Sequence, residues 1–209
     1  EITKFETPET FVKSFQYLET RAEVDPKRIN YVGFSVGASI AMVATEDDKI
    51  NQDVRSLVFF GGYLNIFDYL KSLATKSMVL DGKQVFWDAH PDGINHAKAV
   101  LEKEGLMLEQ FEDLTKFEEA TKSALLKLSP DQKLEKFRAK IFILHEKSDT
   151  YVPYVESVGL KQALEGKVSI VFHISNLFEH VQPKKGFSPE ILKEFAGLFW
   201  FLYQVLTNL

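Results

Sequence analysis

The pentapeptide Gly33-Phe34-Ser35-Val36-Gly37 decides the fold, because of what stands on either side of it. Upstream, the apolar residues of 28–33 predict a short strand, and downstream the small and apolar residues of 36–45 predict a helix. A second apolar run at 54–60, ended by two glycines, predicts another strand. Both strand-like runs are continuous rather than alternating, which is typical of strands buried in a parallel sheet.

The rest of the chain extends this alternation of strands and helices. Further strands are predicted at 140–145 and 168–174, with a helix at 154–164 between them. The interval 63–139 shows helical patterns and little strand character. We therefore predict an α/β fold in which a parallel sheet is flanked by helices. Residues 1–62 and 140–209 would form its core, and residues 63–139 a helical lid inserted after the second strand.

Two local features complete this prediction. Ser129-Pro130-Asp131-Gln132 has the pattern of a capping box that opens one more short helix. The apolar stretch 195–209 predicts a buried terminal helix, because its 15 residues fall short of the roughly 20 that cross a bilayer. We therefore expect no integral membrane span.

The composition of the 209 residues excludes several classes of protein. Hydrophobic residues make up 45% and charged residues 26%, as in globular proteins. The 30 acidic residues outnumber the 25 basic ones, which argues against nucleic acid as a partner. The absence of cysteine excludes disulfides, thiolate zinc sites and a cysteine nucleophile.

A serine between two glycines at a strand-to-helix turn is a candidate nucleophile. The sharp turn would hold Ser35 in a strained backbone conformation, and the flanking glycines would let neighbouring backbone pass close by. The hydroxyl would then project from the carboxyl edge of the sheet. The backbone amide of Val36 would lie at a helix N-terminus, where it can donate a hydrogen bond to an oxyanion.

Such a serine needs a base, and the base needs an orienting acid. Asp149 follows the strand predicted at 140–145, and His180 follows the one predicted at 168–174. Both therefore fall in loops at the edge of the sheet that carries Ser35. Serine, aspartate and histidine, each after a different strand, come in the order that accompanies this motif.

Other titratable residues have simpler interpretations. Asp68 and Asp131 are alternative candidates for the orienting acid, but each lies in a predicted helix or in the lid. His145 ends a strand and is interpreted as structural. His90 and His96 invite a metal hypothesis, but their spacing does not place them on one helical face, so a surface loop is favoured.

The chain resembles the C-terminal part of an α/β-hydrolase, in the branch of esterases, dienelactone hydrolases and prolyl-oligopeptidase-like enzymes. The matching pieces are residues 24–29 leading into 33–38, residues 143–145, Asp149, Val152-Pro153 and His180. The resemblance implies that Ser35 is the nucleophile, His180 the general base and then acid, Asp149 the orienting residue, and the Val36 amide one oxyanion donor.

One departure from the family pattern concerns the position of the serine. In the family it follows the fifth strand of the sheet, whereas here it stands at residue 35. The first four strands are absent, and so is the loop that supplies the second oxyanion amide. We therefore expect a missing N-terminal segment to pair with residues 28–33 and complete the sheet.

The leading hypothesis is a serine hydrolase that cleaves a carboxylic ester or related acyl bond through an acyl-enzyme intermediate. Its partner would be a small-molecule acyl substrate, and this chemistry needs no metal or organic cofactor. A serine peptidase of the same fold is an alternative, because the pattern does not separate the two. A non-catalytic binding or scaffold protein of this fold is another alternative, against which the three residues in order argue.

Overall fold

A computed structural model describes residues 7–179, 182–183 and 189–209. The helices in this part of the chain are α1 (Pro8–Glu19), α2 (Val36–Thr45), α3 (Ile66–Thr75), α4 (Pro91–Lys103), α5 (Glu119–Leu126), α6 (Val155–Leu164) and α7 (Pro189–Asn208). The strands are β1 (Asn30–Phe34), β2 (Ser56–Phe60), β3 (Ser77–Leu80), β4 (Lys83–Phe86), β5 (Lys140–Glu146), β6 (Ile170–Ser175), β7 (Phe178–Glu179) and β8 (Gln182–Pro183).

Four parallel strands form the central sheet in the order β1-β2-β5-β6. In this register Gly33 lies beside Phe59, Phe59 beside Ile143, and Ile143 beside Phe172. The carboxyl ends of all four strands therefore meet at one edge. The predicted parallel sheet flanked by helices is confirmed, with strand boundaries shifted by one or two residues.

The sheet is covered by helices on both faces. Leu57 and Phe59 of β2 belong to the cluster formed with α1, α2 and α6 on one face. Val58 and Phe60, which point the other way because side chains alternate along a strand, belong to the cluster formed with α7. The sheet strands lack a polar–apolar alternation because both of their faces are buried.

Residues 63–139 connect β2 to β5 and build a hydrophobic cluster of their own around Tyr63, Trp87 and Phe111. The interval is largely helical, but it also contains the antiparallel hairpin of β3 and β4. This hairpin was not predicted from the sequence. Its turn holds Asp81 and Gly82 at positive φ, 51° and 73°.

The predicted capping box at Ser129 is wrong. The Ser129 side chain makes no capping hydrogen bond to the short 3-10 helix Pro130–Gln132 that follows it. Its hydroxyl oxygen instead accepts a hydrogen bond from the backbone amide of Ile66, at 3.0 Å. This hydrogen bond connects the C-terminal part of the 63–139 interval to the start of α3.

The prediction of a buried terminal helix holds for one side of α7 only. Leu198, Phe201 and Val205 lie on the stripe that packs against the sheet. The opposite side is exposed, including Phe199 and Leu206. None of the described helices combines the length and the apolarity that a membrane crossing requires.

The edge strand β1 is also partly uncovered. Among the described strands it pairs with β2 alone. Its residues Val32 and Phe34, which share one face, are 53% and 54% exposed. A parallel strand with an open edge and exposed apolar side chains is unusual in a sheet of this kind.

Candidate active site

Ser35 occupies the turn between β1 and α2 in a conformation that L residues rarely adopt. Its φ is 53° and its ψ is −138°, a region that costs of order 1–3 kcal/mol for a residue with a Cβ. Two short hydrogen bonds fix the turn: the Ser35 amide donates to the Phe60 carbonyl at 2.7 Å, and the Ala38 amide donates to the Ser35 carbonyl at 2.9 Å.

The two glycines of the motif have different roles. A Cβ on Gly33 would lie 2.4 Å from the Ala38 Cα, and because this contact is with backbone it could not relax easily. A Cβ on Gly37 would meet nothing within 4 Å. The expectation that both glycines permit close backbone approach therefore holds for Gly33 and is wrong for Gly37.

Val36 is the first residue of α2. The first amides of a helix have no acceptor within the helix, and they carry the positive end of its dipole. The Val36 amide, directly after Ser35, therefore lies where a negative oxygen formed beside the serine would be stabilised.

Asp149 lies in the loop after β5 and is buried, with 2% of its surface exposed. Its Oδ1 atom accepts hydrogen bonds from the amides of Tyr151 at 2.7 Å and Val152 at 3.1 Å. Its backbone carbonyl accepts a hydrogen bond from Trp87 Nε1 at 2.7 Å. The loop amides therefore fix the carboxylate, and Trp87 of the 63–139 interval fixes the backbone of the same residue.

His145 forms a second, fully buried constellation with the same aspartate. Its Nε2 atom lies 3.0 Å from the Val152 carbonyl oxygen and 3.4 Å from Asp149 Oδ2, and its Nδ1 atom lies 2.7 Å from Ser157 Oγ. Because a carbonyl only accepts, Nε2 carries a proton and donates it to the Val152 carbonyl oxygen.

This arrangement has the residue types of a Ser-His-Asp triad, but His145 and Ser157 are both completely buried. No substrate can reach the Ser157 hydroxyl without unfolding of this region. The interpretation of His145 as structural agrees with this geometry.

The 63–139 interval contacts the loop of Asp149 at further points. The His90 ring stacks on Tyr151 with centroids 4.8 Å apart, and the His90 amide donates to the Thr150 carbonyl at 2.7 Å. Gly93 lies against the same tyrosine ring. Val36 packs against the cluster of the interval. The interval therefore abuts residues adjacent to both Ser35 and Asp149.

The metal hypothesis for His90 and His96 gains no support. The surface loop expected for these two residues is wrong: His90 is the N-cap residue of α4, where its Nδ1 atom accepts a hydrogen bond from the Asp92 amide, and His96 lies exposed within α4. Within the described residues, no group of three or more metal-ligating side chains is found.

Asp68 and Asp131, the alternative candidates for the orienting acid, have other surroundings in the structure. Asp131 accepts a hydrogen bond from the Asn65 side chain at 2.7 Å. Asp68 is exposed, and the pKa of its carboxyl is raised by partial desolvation and then by the nearby Asp131. Both line a pocket with Glu156, between α3, the β3–β4 hairpin and α6.

His180 lies outside the described residues, so its role as the base stays a prediction. Two residues that support the site, Trp87 and Ser157, were not predicted from the sequence. A lone tryptophan in a stretch of mixed polarity and a serine inside a predicted helix carry no sequence signal for the contacts that these two residues make.

Comparison with known proteins gives the fold. No protein-family model matches the sequence. No curated protein matches it either. Among solved structures, acetyl xylan esterase 1 from Thermoanaerobacterium sp. JW/SL YS485 is 14% identical with a TM-score of 0.52, and the match covers 92% of this chain and 52% of that one.

Two peptidases are also similar in structure. The dipeptidyl peptidase 4 of Porphyromonas gingivalis is 12% identical with a TM-score of 0.60, over 97% of this chain and 22% of that one. An acylaminoacyl peptidase is 15% identical with a TM-score of 0.55, over 90% of this chain and 25% of that one. These neighbours are α/β-hydrolases, and the chain has the α/β-hydrolase fold. It spans about half the length of the esterase and about a quarter of each peptidase.

Proposed function

We propose that the protein is a serine hydrolase with Ser35 as its nucleophile. The observation that carries this proposal is the strained turn: Ser35 at φ 53° between β1 and the N-terminus of α2. Strain at a polar residue persists only where the surrounding structure imposes it, and such strain clusters at active sites. The esterases and peptidases among the structural neighbours are consistent with a hydrolase.

In the proposed mechanism, Ser35 Oγ attacks the carbonyl carbon while His180 takes the hydroxyl proton. The oxyanion accepts a hydrogen bond from the Val36 amide. The tetrahedral intermediate then expels the leaving group, and His180 donates to it the proton taken from Ser35. Water activated by the same histidine hydrolyses the acyl-enzyme, and Asp149 holds the ring in the required orientation throughout.

We favour a carboxylic ester with an apolar acyl group as the substrate. The 63–139 interval, which we propose to act as a lid, is built on aromatic side chains: Tyr63 stacks on Tyr69 at 5.2 Å, and Phe67 contacts Phe111 at 5.9 Å. Val36, directly after the nucleophile, packs against this apolar cluster, and an apolar lining of a site favours an apolar substrate group. A peptide bond is the alternative.

The test compares both substrate classes on the full-length protein. We expect hydrolysis of p-nitrophenyl esters, with kcat/KM rising from the acetate to the hexanoate ester, and little cleavage of peptide p-nitroanilides. Preference for the anilides would establish the peptidase instead. Ser35→Ala should abolish turnover, whereas Ser14→Ala, an exposed serine on α1, should leave it unchanged. Activity that survives Ser35→Ala would overturn the assignment of the nucleophile.

The open edge of β1 leads to a companion proposal about an additional segment. We propose that an N-terminal segment of the protein pairs with β1, covers Val32 and Phe34, and supplies the second oxyanion amide. Loss of one such donor typically costs about a hundred- to a thousandfold in turnover. Residues 1–209 alone should therefore be nearly inactive and prone to associate through β1, which analytical ultracentrifugation would detect. A stable, fully active monomer would contradict this proposal.

A further inference from the structure

The terminal helix α7 presents an apolar face to the outside of the molecule. Its buried stripe lies against the sheet, where the Phe201 ring is 6.4 Å from that of Phe142 on β5 and 6.3 Å from that of His173 on β6, measured between centroids. The large apolar side chains that point the other way are each between 45% and 75% exposed. They form what we call the α7 face: Phe195, Phe199, Trp200, Leu202, Tyr203 and Leu206.

The spacing of this face is typical of a helix that pairs with another helix. Four of its members follow one another at intervals of four, three and four residues: Phe195, Phe199, Leu202 and Leu206. This alternation is the a/d spacing of coiled coils, in which the side chains of two helices interdigitate. A helix that is apolar on its outer side as well as its inner side needs a second partner, and a contiguous exposed apolar patch of this kind marks an interaction site.

The chemistry of the α7 face argues against a lipid surface as the partner. Helices that lie in a membrane interface are rich in Lys and Arg on their polar face. Residues 195–208 contain no charged residue, and in the whole chain the 30 acidic residues outnumber the 25 basic ones. The helix therefore lacks the basic residues that would hold it on anionic lipid.

The N-terminal segment that we expect beside β1 would pair at the other edge of the sheet. The strand order is β1-β2-β5-β6, and neighbouring strands lie about 4.8 Å apart, so β1 is roughly 14 Å from β6. Since Phe201 contacts side chains of β5 and β6, α7 lies over the half of the sheet away from β1. Pairing with β1 by itself therefore does not cover the α7 face.

The area of the α7 face matches what a stable dimer needs. A whole aromatic side chain has a surface of about 200 Å², so at their observed exposures the six side chains present roughly 650 Å². Two such faces in contact would bury roughly 1,300 Å² in total, and specific protein interfaces bury about 1,200–2,000 Å². Four of the six residues are aromatic, and aromatic residues are enriched in interfaces.

We propose that the protein forms a homodimer in which the α7 faces of two copies pack against each other as antiparallel helices. A two-fold axis relates the copies, so the same surface is used on both partners. The middle of the stripe, between Phe199 and Leu202, lies at this axis. Each of these two residues therefore packs against the middle of the partner's helix.

Analytical ultracentrifugation of the full-length protein tests the assembly. The full-length protein is required because we expect residues 1–209 alone to associate through β1 as well. Interfaces of this size bind with micromolar or tighter affinity, so we expect a dimer with a Kd of about 10 µM or below. Phe199→Glu buries a charge in the apolar contact and should raise this Kd at least about 100-fold.

The chain offers a matched control for this substitution. Phe86 on β4 is 75% exposed, against 72% for Phe199, and it lies outside the α7 face. Phe86→Glu should leave the Kd within about threefold of the wild type, because exposed positions away from an interface are nearly neutral. Circular dichroism checks that both variants keep the helix content of the wild type. Equal weakening of the dimer by the two substitutions would contradict the proposal.

A disulfide cross-link tests the antiparallel arrangement separately. The 209 residues contain no cysteine, so an introduced cysteine is the one thiol in this part of the protein. Because position 202 lies near the two-fold axis, Leu202→Cys should give a covalent dimer on mild oxidation. Val79→Cys, at a 63% exposed position on β3, is the control and should give no more covalent dimer than the wild type. Equal cross-linking of the two variants would contradict the antiparallel pair.

Three other results would overturn the proposal and identify a different partner or surface. A full-length protein that stays monomeric at about 100 µM, ten times the expected Kd, does not pair through α7. A dimer that persists in Phe199→Glu is held together by another surface. Co-sedimentation of the wild type, but not of Phe199→Glu, with vesicles of phosphatidylcholine and phosphatidylserine would assign the α7 face to a membrane.

Discussion

Replacing Trp87 with phenylalanine tests whether the 63–139 interval holds the loop of Asp149. Trp87 is 5% exposed, and its Nε1 atom donates to the Asp149 carbonyl at 2.7 Å. Phenylalanine keeps an aromatic ring but leaves this buried carbonyl without its donor, a cost of about 1–3 kcal/mol. The smaller ring adds a cavity cost of roughly 1 kcal/mol. We therefore expect the free energy of unfolding to fall by about 2–4 kcal/mol.

The chain offers a matched control, since Trp200 is the only other tryptophan and is 51% exposed. Trp200→Phe should change stability by no more than about 0.5 kcal/mol. Urea denaturation followed by circular dichroism measures both variants. In Trp87→Phe we also expect a lower kcat with little change in KM, because the aspartate is displaced while the substrate pocket remains. Equal losses of stability in the two variants would refute this coupling.

Three further predictions concern the turn, the acid and the buried carboxyls. In Gly33→Ala the new Cβ meets the Ala38 backbone at 2.4 Å, so the free energy of unfolding in the same urea assay should fall by more than about 2 kcal/mol and ester turnover should fall with it. A variant as stable as the wild type would contradict the turn geometry. Asp149→Asn should keep the loop, since Oδ1 remains as an acceptor, yet lower kcat roughly 10³–10⁴-fold; a change below tenfold would point to another acid. Burial raises the pKa of the Glu46 carboxyl to about 9 in the folded state, so this group takes up its proton there first and the free energy of unfolding of the wild type should rise as pH falls from 9 to 5. Glu46→Gln should reduce this rise. Parallel stability profiles of the two proteins would count against a neutral buried Glu46.

The strands and helices of the core were predictable because their apolar patterns are local. The predicted bounds of α2 agree with the structure, Val36–Thr45, and all four sheet strands were found to within a few residues. The β3–β4 hairpin was missed although Asp81-Gly82 is a strong turn signal. The two strands that flank the turn are short and mixed in polarity, so the apolar pattern does not indicate them. Only the Asp81-Gly82 pair indicates a hairpin here.

The site was predictable only in part, because its supports are contacts between distant parts of the chain. Ser35 and Asp149 could be singled out, since each follows a strand in a recognisable order. The hydrogen bond from Trp87 to Asp149 joins residues 62 positions apart, and no sequence period encodes it. His180 lies outside the described residues and remains a prediction.

The exposure of α7 has a similar explanation. A helix that is apolar on all sides predicts complete burial, but the sheet covers only the stripe containing Phe201. Which neighbours cover the other side depends on tertiary context, which the helix sequence alone does not carry.

Labelling the full-length protein with a fluorophosphonate probe, followed by mass spectrometry of the modified peptide, tests most directly whether Ser35 is the nucleophile. We expect a single adduct on Ser35, lost in Ser35→Ala. Labelling should persist in Ser157→Ala, because the Ser157 hydroxyl is fully buried against His145. An adduct on another serine, labelling that survives Ser35→Ala, or no labelling of the folded protein would contradict the proposed serine hydrolase.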